Sequence, residues 1–120
     1  MKKIPNIRLD ILIKKEEDYY IAHCLQFDIV ATDDTIKGVQ KAIANLCIAH
    51  IQFSTKHDNV EHLFHPAPPE VWAEYYSISK NPNCLRDQKE IKVKLRDEIP
   101  NVSIPPFIIQ EVFCNEQTAC

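Results

Sequence analysis

The chain predicts an α+β fold: a small antiparallel three-stranded sheet with one long helix packed on one face, then a proline-rich C-terminal extension with one or two further strands. Three observations carry this. Apolar residues alternate or crowd in three short runs before residue 33, separated by polar breaks. From residue 36 the apolar spacing changes from two to about 3.6, the period of an α-helix. Of the eight prolines, all but Pro5 lie at or after Pro66, so the second half differs in kind from the first. The division falls near residues 65 and 66, with a β-β-β-α module over 1–65 and an extension over 66–120.

Residues 7–14 set Ile7, Leu9, Ile11 and Ile13 on one face and Arg8, Asp10 and Lys14 on the other, a half-buried strand. "KEED" at 15–18 is a polar turn in which Asp18 can stand where glycine usually does. "YYIAHCL" at 19–25 is a second strand with apolar residues on both faces. As the middle strand of a meander it needs cover on both sides. The extension, a second copy of the chain or a different protein would supply the second cover. "FDIVAT" at 27–32 is the third strand. A helix is expected over 36–55, its core stripe running through Ile36, Val39, Ile43, Leu46, Cys47, His50 and Phe53. Thr35 is its N-cap and Asp34 lies just outside, where the helix dipole favours a negative charge. Gly38 inside the first turn costs about 1 kcal/mol against alanine.

In the extension, Pro69 suits a first helical turn, and Trp72, Tyr75 and Tyr76 share one side of a short helix at about 69–76. These aromatics either pin the extension onto the open sheet face or anchor a partner. Residues 79–88 read as a loop. "EIKVKLR" at 90–96 alternates Ile91, Val93 and Leu95 with Lys92, Lys94 and Arg96, and "FIIQEVF" at 107–113 is a last strand.

Composition excludes several function classes. A single glycine cannot build a phosphate-binding or dinucleotide-binding loop, whose backbone must approach its ligand closely. A net charge of −3 gives no basic face for nucleic acid and suits a basic partner better. Five cysteines match no zinc or disulfide spacing, and the N-terminus has no apolar run long enough for export or a membrane span. Free thiols in the cytoplasm are therefore expected, with no membrane association. His23 and Cys24 are strand neighbours and project to opposite faces, so they cannot act together as base and nucleophile. His57, His62 and His65, or Cys47 with His50, have no metal-ligand spacing. No cofactor and no catalysis are expected.

The features "EEDYYIAHC" (16–24), "LQFDIVAT" (25–32) and "DDTIKGVQKAI" (33–43) together resemble the HicB-like antitoxin family of bacterial toxin–antitoxin pairs. The resemblance covers about residues 7–57. It implies a β-β-β-α-β unit, a partial ribonuclease H-like fold without that fold's active-site acids, and a function in occluding a small basic RNA-cleaving toxin. Asp10, Asp28, Asp33 and Asp34 would be the acids for a two-metal nuclease, but Asp10 and the capping pair already have structural explanations. Many family members also carry a DNA-binding ribbon-helix-helix or helix-turn-helix that represses their own operon. No such pattern follows residue 96, and where members often have glycine before the capping aspartate this chain has Asp33. The expected partner-binding residues are Glu16, Glu17, Asp18, Tyr19, His23 and Asp28, in a homodimer that binds a basic protein. A transcriptional autoregulator contacting DNA through Lys92, Lys94 and Arg96 is the alternative, and those three otherwise form the solvent face of an edge strand.

Overall fold

The computed structural model describes residues 2–3, 7–57, 60–81, 85–91, 102–103 and 107–114. In chain order the elements are β1 (Lys2–Lys3), β2 (Arg8–Lys15), β3 (Tyr20–Cys24), β4 (Ile29–Asp33), α1 (Ile36–Lys56), a 3-10 turn (Val60–His62), α2 (Pro69–Ser79), β5 (Leu85–Ile91), β6 (Val102–Ser103) and β7 (Phe107–Cys114). The α+β class stands. The sheet has five strands rather than three, in the order β4-β3-β2-β7-β5, beside a two-residue parallel pairing of β1 with β6.

The meander β2-β3-β4 is antiparallel, with Ile13 opposite Ala22 and Ala22 opposite Ala31. β7 then pairs parallel with β2, placing Leu9 beside Ile109. A parallel neighbour requires a long crossover, and the chain from β4 through α1 and α2 supplies it. The middle strand is therefore β2, not the run at 19–25. Leu12 explains this. It lies on the Arg8–Asp10 face, is 1% exposed, and makes β2 apolar on both sides where the half-buried reading had a polar face.

The two faces have separate cores. Leu9, Ile11 and Ile13 of β2, with Ala22, Cys24, Ala31 and Ile109, pack against Val39, Ile43, Cys47 and Ile51 of α1. On the other side Leu12, Leu25 and Val112 meet Tyr75 and Ile78 of α2, with Val71 and Trp72 at the margin. Pro69 opens α2, as its fixed φ favours. Tyr75 and Trp72 thus pin the second half to the sheet, while Tyr76 on the same helix is 52% exposed.

The helix stripe is displaced from the expected one. Its buried residues are Val39, Ile43, Cys47, Ile51, Ser54 and Thr55, whereas Ile36, Leu46 and Phe53 are exposed. Four-residue steps keep the buried row aligned with the strands beneath. The hydroxyl of Thr55 donates to the Ile51 carbonyl at 2.7 Å, which satisfies it in the core. At the N-terminus Thr35 has extended backbone, and its Oγ1 accepts from Gly38 N at 2.9 Å. Asp33, rather than Asp34, completes the cap. Its Oδ2 accepts from both Thr35 N and Thr35 Oγ1 at 3.2 Å.

The strand expected at 90–96 lies elsewhere. β5 spans Leu85–Ile91 and pairs antiparallel with β7, Leu85 opposite Phe113 and Ile91 opposite Phe107. Residues 85–88 are thus strand and not loop, and Lys92, Lys94 and Arg96 fall outside the described residues.

α2 is fastened by polar contacts as well. Tyr75 Oη donates to Asp10 Oδ1 at 2.9 Å, and Gln26 Nε2 donates to Asp10 Oδ2 at 2.7 Å. Arg8 bonds Gln110 and sets its Nε 3.9 Å from Asp10 Oδ1, and Lys14 Nζ reaches Glu74 Oε1 at 2.8 Å. Burial, then the Asp10 carboxylate, push the Tyr75 phenol well above its ordinary value near 10. The folded state therefore holds this proton more tightly than the unfolded chain. Stability is unaffected below about pH 10 and falls above it, where the unfolded chain deprotonates first. Tyr75→Phe should lose about 1.5–3 kcal/mol at about pH 8, the worth of a hydrogen bond to a charged group. Urea unfolding should show that deficit narrowing by about pH 11. A constant deficit at both pH values would contradict the account.

Candidate docking face

β3 and β4 turn one set of side chains to the α1 core and the other outward. Ala22, Cys24 and Ala31 are in the core. Ile21, His23, Val30 and Thr32 occupy the opposite face, His23 directly across from Val30 and Ile21 across from Thr32. α2 lies over the β2–β7 half of that face and leaves the β3–β4 half uncovered. Val30 is 50% exposed and Thr32 is exposed. β4 is also an edge strand among the described residues, so one side of its backbone is unpaired by the sheet. Edge strands and exposed apolar side chains are the features by which sheets recruit another chain.

The candidate residues divide between the two ends of this face. Lys15 is opposite Tyr20, and Tyr20 opposite Asp33, so the turn at 16–19 and the start of α1 share one end. Glu16, Glu17, Asp18 and Tyr19 are all exposed there, the turn being closed by Glu16 N donating to Tyr19 O at 2.8 Å. Tyr19, Thr32, Asp33 and Asp34 line a shallow depression of about 560 Å³. At the other end His23 Nε2 lies 2.6 Å from Asp28 Oδ1. Asp28 has φ of 54°, the left-handed conformation that aspartate tolerates better than most residues. The bend returns its carboxylate to the β3 face that His23 occupies. His23 is thus half-buried and engaged with Asp28, not the fully outward group the sequence suggested.

The capping pair Asp33–Asp34 is a further acidic contribution that sequence reasoning assigned to helix initiation alone. Its signal was present, since antiparallel register brings the residues after β4 back beside the turn before β3.

Other chemistry was considered by geometry. Cys24 projects into the α1 core and His23 away from it, as strand alternation requires. Cys24 and Cys47 are buried free thiols. The hydrogen bond between them, then burial, push the Cys47 pKa far up, so that thiol stays protonated. His50 Nε2 lies 2.7 Å from the Leu63 carbonyl and its ring packs 4.7 Å from Phe27, a structural placement. Among the described residues no three histidines, cysteines or carboxylates converge as metal ligands, and no helix is long and apolar enough to cross a membrane. A second groove, lined by Arg8, Asp10, Tyr75, Tyr76, Ser79 and Gln110, borders the α2 fastening, and its Asp10 carboxylate is already engaged by Tyr75 and Gln26.

A scan of protein-family models, a search of curated proteins and a search of solved structures each return no match to this chain.

Proposed function

We propose that the chain is a non-catalytic protein-binding module of HicB-like antitoxin type, which occludes a small basic RNA-cleaving toxin or a related basic partner. The observation that carries this reading is the uncovered β3–β4 half-face, with Val30 exposed on it, carboxylates gathered at one end and Asp28 at the other. The run β2-β3-β4-α1 with a late strand returning beside β2 supports the β-β-β-α-β pattern, and with it the partial ribonuclease H-like relationship. In this mechanism Glu16, Glu17, Asp18 and Asp28 steer a cationic partner to the face. Val30, Tyr19 and the β4 edge make the contacts that hold it. Charge sets mainly the association rate, and desolvated apolar contact sets the residence time.

Self-association was expected from a second apolar sheet face. α2 occupies much of that face, so the β4 edge is the route left for a homodimer in this proposal.

The test is co-expression with the small basic protein encoded by an adjacent reading frame, followed by purification of the pair. The expected result is a complex that suppresses RNA cleavage. Glu16→Lys/Glu17→Lys/Asp18→Lys should slow association at low salt by about 10-fold or more, and Val30→Glu should speed dissociation. RNA cleavage undiminished by the wild-type chain would overturn the proposal. So would suppression that all four substitutions together leave intact.

A further inference from the structure

The α1 residues that the core does not use form a second apolar row. Leu46 is 43% and Phe53 59% exposed, and Ala49 between them is exposed. With Ala42, which only partly packs on the core, the spacing is four, three, four. That is the step pattern of a helix seam, with small residues alternating with large ones. The row continues to the C-cap, where the Phe53 ring lies 4.2 Å from that of His57. The seam is on the helix facing away from the sheet, so it is separate from the β3–β4 half-face.

Its charge is one-sided. α1, "IKGVQKAIANLCIAHIQFSTK", holds Lys37, Lys41 and Lys56 and no acid. All three lysines are exposed, and among the described residues none of them makes an ion pair. In a chain whose net charge is −3, this helix is a local cationic strip beside an unburied apolar row. A second copy of α1 could match the apolar row but would set lysine against lysine or histidine in either direction, with no carboxylate to relieve it. Opposite charge beside complementary apolar anchors is what helix-on-helix recognition uses.

We propose that the outward seam of α1, centred on Leu46, Ala49 and Phe53, docks an acidic amphipathic helix of a partner protein. Leu46 and Phe53 insert between the partner's apolar side chains, Ala42 and Ala49 admit its large residues, and Lys37, Lys41 and Lys56 meet its carboxylates. The chain then has two recognition surfaces of opposite preference: an acidic sheet end for a basic partner, and a cationic helix for an acidic one.

The test uses the full chain and two synthetic helical peptides that share one heptad leucine pattern, one flanked by glutamates and one by lysines. Fluorescence anisotropy at low salt should show binding of the glutamate peptide at least tenfold tighter than the lysine peptide. Leu46→Ser/Phe53→Ser should weaken it at least tenfold while leaving the melting temperature and the toxin-type binding of the β3–β4 face unchanged. Lys37→Glu/Lys41→Glu/Lys56→Glu should reverse the preference between the peptides. No binding of the glutamate peptide, or binding indifferent to the Leu46 and Phe53 replacements, overturns the proposal. A wild-type dimer that Leu46→Ser/Phe53→Ser converts to monomer overturns it in favour of a second copy as occupant.

Discussion

Leu12→Ala is expected to remove about 2–5 kcal/mol of folding stability, the range for truncating a fully buried leucine in a core that relaxes only partly. The size follows from position. Leu12 sits at the centre of the middle strand and faces Leu25, Val112, Tyr75 and Ile78, the cluster that joins α2 to the sheet. Truncation leaves a cavity between two elements of distant sequence and loosens the anchoring of α2 beside the docking half-face. A small domain typically has only about 5–15 kcal/mol in total, so this one change consumes a large share. Urea denaturation should show a lower midpoint with unchanged slope. Thr32→Ala, on the same sheet face but exposed, should stay within about 0.5 kcal/mol. A loss below about 1 kcal/mol at Leu12 would mean that α2 does not pack there as described.

Leu12 also marks the limit of what was legible in the sequence. Alternation located β2, β3 and β4 to within two residues, and the change of period located α1 to within one at its C-terminus. The alternation argument counted Ile7, Leu9, Ile11 and Ile13 and passed over the one large apolar side chain on the other face. That omission moved the expected centre of the sheet from β2 to β3. β5 escaped for a different reason. "LRDQKEI" has apolar residues only at its two ends, and an edge strand paired on one side need not show an apolar face. Hydrophobic period cannot detect a strand of that kind, whereas the neighbouring "EIKVKLR" shows a clean alternation that drew the assignment forward by five residues.

The site was legible in composition and not in arrangement. Glu16, Glu17, Asp18 and Tyr19 are exposed where the turn was expected. That Asp33 and Asp34 join them depends on antiparallel register, and that His23 meets Asp28 depends on a bend with a left-handed aspartate. Neither is a local pattern. The helix gave the reverse error: Leu46 and Phe53 fit a 3.6-residue stripe with Val39 and Ile43, but the helix has two apolar rows and the sheet takes the one at four-residue steps. Two overlapping stripes in one helix cannot be separated until the surface beneath is known.

Gly38→Ala is expected to destabilise the protein, against the usual gain of about 1 kcal/mol from replacing a helical glycine by alanine. An alanine Cβ at this position would fall within the Asp33 carboxylate and 2.8 Å from Thr35 Oγ1. Thr35 cannot retreat without giving up its bond to Gly38 N, and Asp33 cannot without releasing Thr35 N and Oγ1. Loss of an N-cap costs about 0.5–2 kcal/mol, enough to exceed the propensity gain once Asp33 is displaced too. The glycine is therefore a requirement of the acidic cap, and the cap fixes Asp33 at the end of the docking face. A double-mutant cycle separates the terms. In an Asp33→Ala background the crowding is relieved, so adding Gly38→Ala should raise the melting temperature where in the wild type it lowers it. The same sign in both backgrounds would show that Gly38 is tolerated in the first turn for a reason unconnected with the cap, and that the carboxylate of Asp33 is as free to meet a partner as those of Glu16 and Glu17.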